Sequence, residues 1–309
     1  MAKTLFIIAG PTAIGKTILA INLAQYYKTE IVSADSRQLY REMEIGTAKP
    51  SSDELNTVTH HFINSHSITD VYNVGDYERE ALQVISTLFE RHNIVILVGG
   101  SGLYINAITQ GFDDIPSSSA EVREKYNQLL EERGISFLQE SLKSIDPEYY
   151  DEVDIDNPQR IIRAIEVYET SGKPFSEFRN KVKKTRNFNI IKVGLNTDRQ
   201  KLYEKINNRV DIMINNGLVG EVERLKSFRH LNALNTVGYS ELFDFFDGSS
   251  TIEAAVDKIK QNTRRFAKRQ LTWFHKSEDI KWFHPDEVDS ITSYLNSTLL
   301  DPERVVQRN

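Results

Sequence analysis

Residues Thr4 to Thr17 constrain the fold more than any other stretch of this chain. An apolar run with strand composition empties into Gly10-Pro11-Thr12-Ala13-Ile14-Gly15-Lys16-Thr17, and Ile18, Leu19, Ile21, Leu23 and Ala24 follow at helical spacing. Strand, glycine-rich loop and helix in that order make a phosphate cradle. The glycines let successive backbone N–H groups curl around an anion, Lys16 adds a point charge, and the Thr17 hydroxyl can ligate a magnesium ion. An ordinary strand-to-helix turn would not need both flanking elements and the lysine. The loop alone does not say whether the bound phosphates belong to a nucleotide.

With 309 residues the chain can bury a sizeable core, and its length suggests two domains or one with a large insertion. It has no cysteine, which excludes disulfides, thiolate zinc sites and cysteine nucleophiles. No apolar run approaches the ~20 residues of a membrane helix. The short apolar strand after Lys3 is not expected to be a signal peptide, and a cytoplasmic monomer is the expectation. The net charge of −6 argues against broad affinity for nucleic acid. Charge is nevertheless polarised: residues 113–156 carry 13 acidic and 4 basic side chains, and residues 157–187 carry 3 and 8. A basic face can therefore exist on an acidic chain.

Glu30 to Ala34 reads as a second buried strand, followed at once by Asp35-Ser36-Arg37-Gln38. Ligands of open α/β sheets sit beyond the carboxyl ends of the strands, so Asp35 is expected to face the phosphate loop. From these residues alone Asp35 could be a helix cap, a metal-linked carboxylate or a catalytic group. His60 and His61 would point to opposite faces of a strand, a poor metal pair, and read as structural edge residues. Ile94 to Val98 forms a fully apolar strand ending in Gly99-Gly100-Ser101-Gly102, a second glycine turn in which Ser101 offers a hydroxyl to a ligand or caps a helix. Ala120 to Val182 has helical periodicity and no convincing strand, with Asn157-Pro158 opening a helix that carries Arg160 and Arg163 on one face. Ile190 to Leu195 restores the sheet. Further on, Arg264 to Phe274 interleaves cations with aromatics, a pattern that suits either an RNA surface or core packing. The last dozen residues read as polar and frayed.

Taken in order, the motifs resemble the bacterial tRNA dimethylallyltransferases. The matching pieces are Gly10 to Thr17, Asp35-Ser36 with Tyr40, Gly46-Thr47-Ala48-Lys49-Pro50 and Gly99 to Tyr104. Asn157-Pro158-Gln159-Arg160 with Arg163 to Glu166, Arg209, Val237-Gly238-Tyr239 and Arg264 to Trp273 complete the set. The resemblance covers nearly the whole chain. It implies an α/β fold, a P-loop NTPase-like parallel sheet flanked by helices with an inserted all-helical domain. Residues 1–114 and 188–309 would be the catalytic core, and 115–187 the insertion that contacts tRNA.

By the same resemblance, Gly10, Pro11, Thr12, Ala13, Ile14, Gly15, Lys16 and Thr17 would hold the diphosphate of dimethylallyl diphosphate, with Mg²⁺ on Thr17. Arg209 would help neutralise the leaving group. Asp35 would be the general base toward the exocyclic N6 of adenine 37, beside the anticodon, in tRNAs reading codons that begin with U. Ser101, where the family usually has threonine, would contact substrate. Asp35, Ser36, Arg37, Gln38, Ser101, Arg123, Gln159, Arg160, Ile161, Ile162 and Arg163 would meet the tRNA anticodon stem-loop, with the basic half of the insertion toward RNA. Asn235 and Ser240 replace arginines that often flank the Val237-Gly238-Tyr239 turn, a departure from the family pattern. Three rivals share parts of this pattern: a P-loop small-molecule kinase, an adenylate isopentenyltransferase acting on free AMP, and an RNA-binding module with a structural P-loop.

Overall fold

The computed structural model describes residues 2–113, 115–116, 120–179 and 184–301. In chain order the first half is β1 (Thr4–Ala9), α1 (Lys16–Tyr27), β2 (Ile31–Ser33), α2 (Ser52–Thr57), β3 (His60–His61), α3 (Val74–Arg91), β4 (Ile94–Gly99) and α4 (Gly102–Gln110). Four helices follow, α5 (Ala120–Arg133), α6 (Ile135–Ile145), α7 (Pro147–Glu152) and α8 (Pro158–Ser171). The chain then returns through β5 (Asn189–Leu195), α9 (Arg199–Asn215), α10 (Leu218–Arg224), α11 (Ser240–Phe246), α12 (Ile252–Phe274), β6 (Ile280–Phe283) and α13 (Val288–Leu300).

The six strands form one sheet in the order β3-β2-β4-β1-β5-β6, and every pairing is parallel. Parallel strands covered on both faces need continuous apolar runs, and β1 and β4 are buried along their whole lengths. Phe6, Ile8, Ile96 and Val98 pack with Leu19, Leu23 and Ala24 of α1 and with Ile291 and Leu295 of α13. This is the expected α/β architecture. The doubled histidine forms the short edge strand β3, where the His61 imidazole lies 2.8 Å from Glu30.

Chain packing separates residues 110–185 from the rest, against the expected 115–187. The difference at the return is physical: Arg186 anchors in the sheet unit, donating to Glu78 at 2.9 Å and to the carbonyls of Ala107 and Ile108 at 2.6 and 2.8 Å. Residues 110–185 have their own core of Tyr126, Leu138, Leu142, Ile161, Ile165 and Phe175. Among the described residues no helix is long and apolar enough to cross a membrane.

Among the elements not expected from the sequence are β6 and α13. β6 is a four-residue edge strand interrupted by the exposed Lys281, too short to show a period. The helix α13 runs to Leu300 and buries Thr298, so the frayed reading fails for residues 298–300; residues 302–309 lie outside the described set.

Candidate active site

Because β2, β4 and β1 are neighbours in the sheet, the loops leaving their carboxyl ends share one edge. Gly99 permits the close approach. A Cβ there would sit 2.1 Å from the Ala34 carbonyl oxygen, which itself accepts from Ser101 N at 3.2 Å. The two loops following β2 and β4 are thus stitched together by backbone.

In the loop after β1, Ala13 (φ 64°) and Gly15 (φ 106°) adopt left-handed conformations that turn backbone N–H groups inward, and Gly15 opens α1. Thr12 N does not join that cradle. It donates to Gln270 Oε1 at 2.8 Å, and Gln270 Nε2 donates to the Gly100 carbonyl at 2.9 Å. One buried amide on α12 therefore ties the phosphate loop to the second glycine turn.

Lys16 Nζ donates to the Pro11 carbonyl at 2.7 Å. Burial pushes its pKa down to about 7; Asp35 opposes that shift and Arg209 adds to it. Arg209, carried by α9, donates to Thr12 Oγ1 at 3.3 Å and to the Ala48 carbonyl at 3.1 Å. Burial lowers its pKa also, against the pull of Asp35. Lys49 donates to the Tyr40 carbonyl at 2.6 Å, and burial brings it down to about 8, with Glu44 opposing. Three cations thus share a place where each would gain from an anion.

Asp35 Oδ1 accepts from Arg37 N at 2.9 Å and Gln38 N at 3.3 Å, closing an Asx turn; no helix starts there, so the helix-cap reading of the sequence is not realised. Among the described residues no hydrogen bond reaches Oδ2. Ser101 Oγ accepts from Ser36 N at 3.0 Å and donates to Ser36 Oγ at 3.2 Å, so its hydroxyl joins two loops. Gln38 donates to the carbonyls of Thr47 and Ala48, both at 3.2 Å, and Arg37 reaches the Asn235 carbonyl at 3.5 Å.

A cavity of about 820 Å³ opens on Lys16, Thr17, Asp35, Lys49, Arg209 and Gln270. A smaller one of about 120 Å³ shares Thr12, Asp35 and Arg209 and is walled by Val210, Met213 and Phe266. Of the expected positions, Thr12 to Thr17, Asp35 and Arg209 line the larger cavity and Ser101 the smaller, while Gly10 and Pro11 line neither. Sequence reasoning missed Gln270, Lys49 and Glu221. The first two sat inside quoted motifs but had no visible partner, since both act through contacts distant in sequence or through backbone.

In residues 110–185 several expectations need correction. Ile161 and Ile162 are both 0% exposed and belong to the helical core, so as folded their side chains are not presented to RNA. Arg123 grips Glu166 through Nε at 2.6 Å and Nη2 at 3.2 Å, and Arg163 reaches the same carboxylate at 3.5 Å and the Pro116 carbonyl at 2.9 Å. Arg123 thereby holds α5 to α8, while Arg163, itself on α8, ties that helix to the segment before α5. Gln159 and Arg160, one turn earlier, are exposed. The basic run 179–186 is also spent at its ends, Arg179 on Glu152 at 2.6 Å and Arg186 on Glu78. Lys181 and Lys183 lie outside the described residues.

The IPP transferase family model matches residues 38–277. A tRNA dimethylallyltransferase of Christiangramia forsetii is 54% identical over 300 residues, covering 97% of this chain and 99% of that protein. One from Flavobacterium johnsoniae is 54% identical over 304 residues, covering 96% and 98%. Among solved structures, the tRNA isopentenylpyrophosphate transferase of Bacillus halodurans is 34% identical with a TM-score of 0.72, covering 98% of both chains. A eukaryotic dimethylallyltransferase acting on tRNA is 25% identical with a TM-score of 0.79, covering 100% of this chain and 81% of that one. Sequence, fold and the converging loops agree, and the chain belongs to the IPP transferase family.

Proposed function

We propose that this chain transfers the dimethylallyl group of dimethylallyl diphosphate to N6 of adenine 37 in tRNAs that read codons beginning with U, giving N6-dimethylallyladenosine and diphosphate. The observation that carries this reading is the pairing of two partly buried cations, Lys16 and Arg209, with a phosphate loop in a cavity that also holds Asp35. A diphosphate supplies the counter-charge that desolvation makes each of them favour, and its departure is where negative charge develops most. Lys16, Arg209 and the inward N–H groups of Ala13 to Thr17 bind the leaving oxygens.

The C–O bond of the allylic diphosphate breaks as N6 bonds to the freed carbon. N6 is a poor base, its lone pair conjugated into the ring, so loss of its proton must accompany bond formation. Asp35 accepts that proton on Oδ2 while Oδ1 stays fixed by Arg37 N and Gln38 N. The target base must be splayed out of its stack to reach the carboxylate. On the insertion, Gln159 and Arg160 are the members of the expected RNA-contacting set that are exposed and not held by Glu166.

The donor set suits magnesium held largely by substrate. Among the described residues no group of three His, Asp or Glu side chains converges on a metal position, and Mg²⁺ in phosphate sites takes few protein ligands and keeps several waters. Thr17 would hold it, and the ion would supply further neutralisation of the diphosphate.

The test offers labelled dimethylallyl diphosphate with unmodified tRNA, with AMP and with neither, beside an ATP-turnover control. Label in tRNA alone is expected. Label in AMP but never in tRNA, or phosphate release from ATP without prenyl transfer, overturns the reading.

A further inference from the structure

Glu221, on α10, is only 3% exposed, yet among the described residues no ion pair reaches it. Its carboxylate is satisfied by hydrogen bonds alone. Oε2 accepts from Glu44 N at 3.1 Å and Ile45 N at 2.8 Å; Oε1 accepts from Gly46 N at 3.0 Å and from the Tyr239 hydroxyl at 2.7 Å. A carboxylate offers about four lone-pair sites and no donor, which matches four converging donors. An amide at this position would turn an NH₂ toward backbone N–H groups.

The loop held this way is tightly specified. A Cβ on Gly46 would lie 2.5 Å from the Tyr239 ring, so the glycine lets the loop lie flat on that tyrosine. Thr47 Oγ1 donates to the Met43 carbonyl at 2.6 Å, and Ala48, a non-glycine residue at φ 47°, donates its N–H to the Ile45 carbonyl at 3.0 Å. A left-handed alanine is strained and persists only where its surroundings impose it. The result is an Ala48 carbonyl aimed at Arg209 Nη2 and Gln38 Nε2.

We infer that Glu221 is a positioning residue for the diphosphate site, fixing the 44–48 loop so that the Ala48 carbonyl orients the Arg209 guanidinium. A buried carboxylate with no ion pair in contact, Lys49 acting on it only from a distance, is expensive to keep for stability alone, since apolar packing would serve as well. Its geometry is spent on one loop, and that loop's strained carbonyl faces the cation proposed to meet the leaving group. The inference rests on the diphosphate reading of the cavity.

The experiment measures binding of inorganic diphosphate by calorimetry to the full chain, with a synthetic anticodon stem-loop as a second ligand. In folded Glu221→Gln, diphosphate affinity should fall about tenfold while stem-loop affinity stays within about threefold. Because the effect runs through Arg209, the loss should largely vanish in an Arg209→Ala background, a coupling that additivity of independent sites forbids. Should Glu221→Gln not fold, Glu221→Asp keeps the charge and retracts it, and the same coupled loss is expected. Unchanged diphosphate affinity in a folded variant, or a loss fully additive with Arg209→Ala, overturns the inference. A wild-type chain that binds no diphosphate removes the inference and the diphosphate reading together, whereas a wild type that binds it beside an unaffected variant removes the inference alone.

Discussion

Arg209 Nη1 lies 3.3 Å from Thr12 Oγ1, joining α9 to the phosphate loop across 197 positions of sequence. The guanidinium fork is thereby set before any ligand arrives, with its other arm on the Ala48 carbonyl. Preorganised charge of this kind acts where charge develops, so its removal should fall on the transition state. Arg209→Ala is expected to lower kcat/KM for dimethylallyl diphosphate about 100-fold, on the order of 3 kcal/mol for a charge-assisted contact. Arg209→Lys should recover little, because a point ammonium cannot hold both partners. Steady-state kinetics on the two variants checks this.

Lys16 makes diphosphate binding depend on pH with a defined sign. Its pKa in the free site is about 7, and a bound anion raises it. Below pH 7 the lysine is already charged and binding needs no proton. Above pH 7 binding must take one up, so affinity for inorganic diphosphate should weaken by up to about tenfold per pH unit between pH 7 and 9. Calorimetry in buffers of different ionisation enthalpy should show uptake approaching one proton, and Lys16→Arg should remove that component. Stability of the ligand-free protein runs the other way. Between pH 7 and 10.5 the unfolded chain binds more protons at this lysine, so its contribution grows with pH across that window.

The difference between what the sequence disclosed and what it hid follows from the range of the interactions. The phosphate loop, the Asp35 position and the Gly99 turn are local patterns, legible because strand, turn and helix each leave a period or a glycine. Their convergence follows from strand order. Gln270 and Glu221 leave no such trace. Each is a single polar residue on a helix, and its meaning lies in backbone groups 170 to 258 positions away for Gln270 and 175 to 177 away for Glu221. Ile161 and Ile162 failed for the opposite reason. A matched motif carries its apolar residues along with its polar ones, and the helical period places these two in the core.

Asp35 combines the closure of an Asx turn with the role of proposed base, and one substitution separates them. Asp35→Asn keeps an acceptor oxygen for Arg37 N and Gln38 N but cannot take the N6 proton. Transfer should fall by a factor on the order of 10² or more, the usual weight of general-base catalysis, with tRNA affinity within about tenfold. Thermal stability should match that of the native protein to within about 0.5 kcal/mol, because the Asx turn keeps its acceptor. Single-turnover rates and filter binding measured together decide the matter: tRNA binding that collapses while the single-turnover rate stays normal would place Asp35 in recognition instead.

Within residues 110–185, Glu166 and Arg160 both lie on α8, less than two turns apart, and should separate fold from recognition. Glu166 is 0% exposed and receives Arg123 in a two-bond grip, while Arg123 itself is 45% exposed. Glu166→Ala leaves two guanidinium groups facing a void, but their solvent contact reduces the loss below the 3–5 kcal/mol of a fully buried pair, to about 2 kcal/mol. A lowered melting transition with weakened tRNA binding is expected. Arg160→Ala removes an exposed cation and should shift stability by less than about 0.5 kcal/mol. If Arg160 meets a phosphate, its loss weakens tRNA binding and reduces the slope of log affinity against log salt by about 1. An unchanged slope would assign Arg160 to a merely solvated face and leave Gln159 as the exposed contact on that turn.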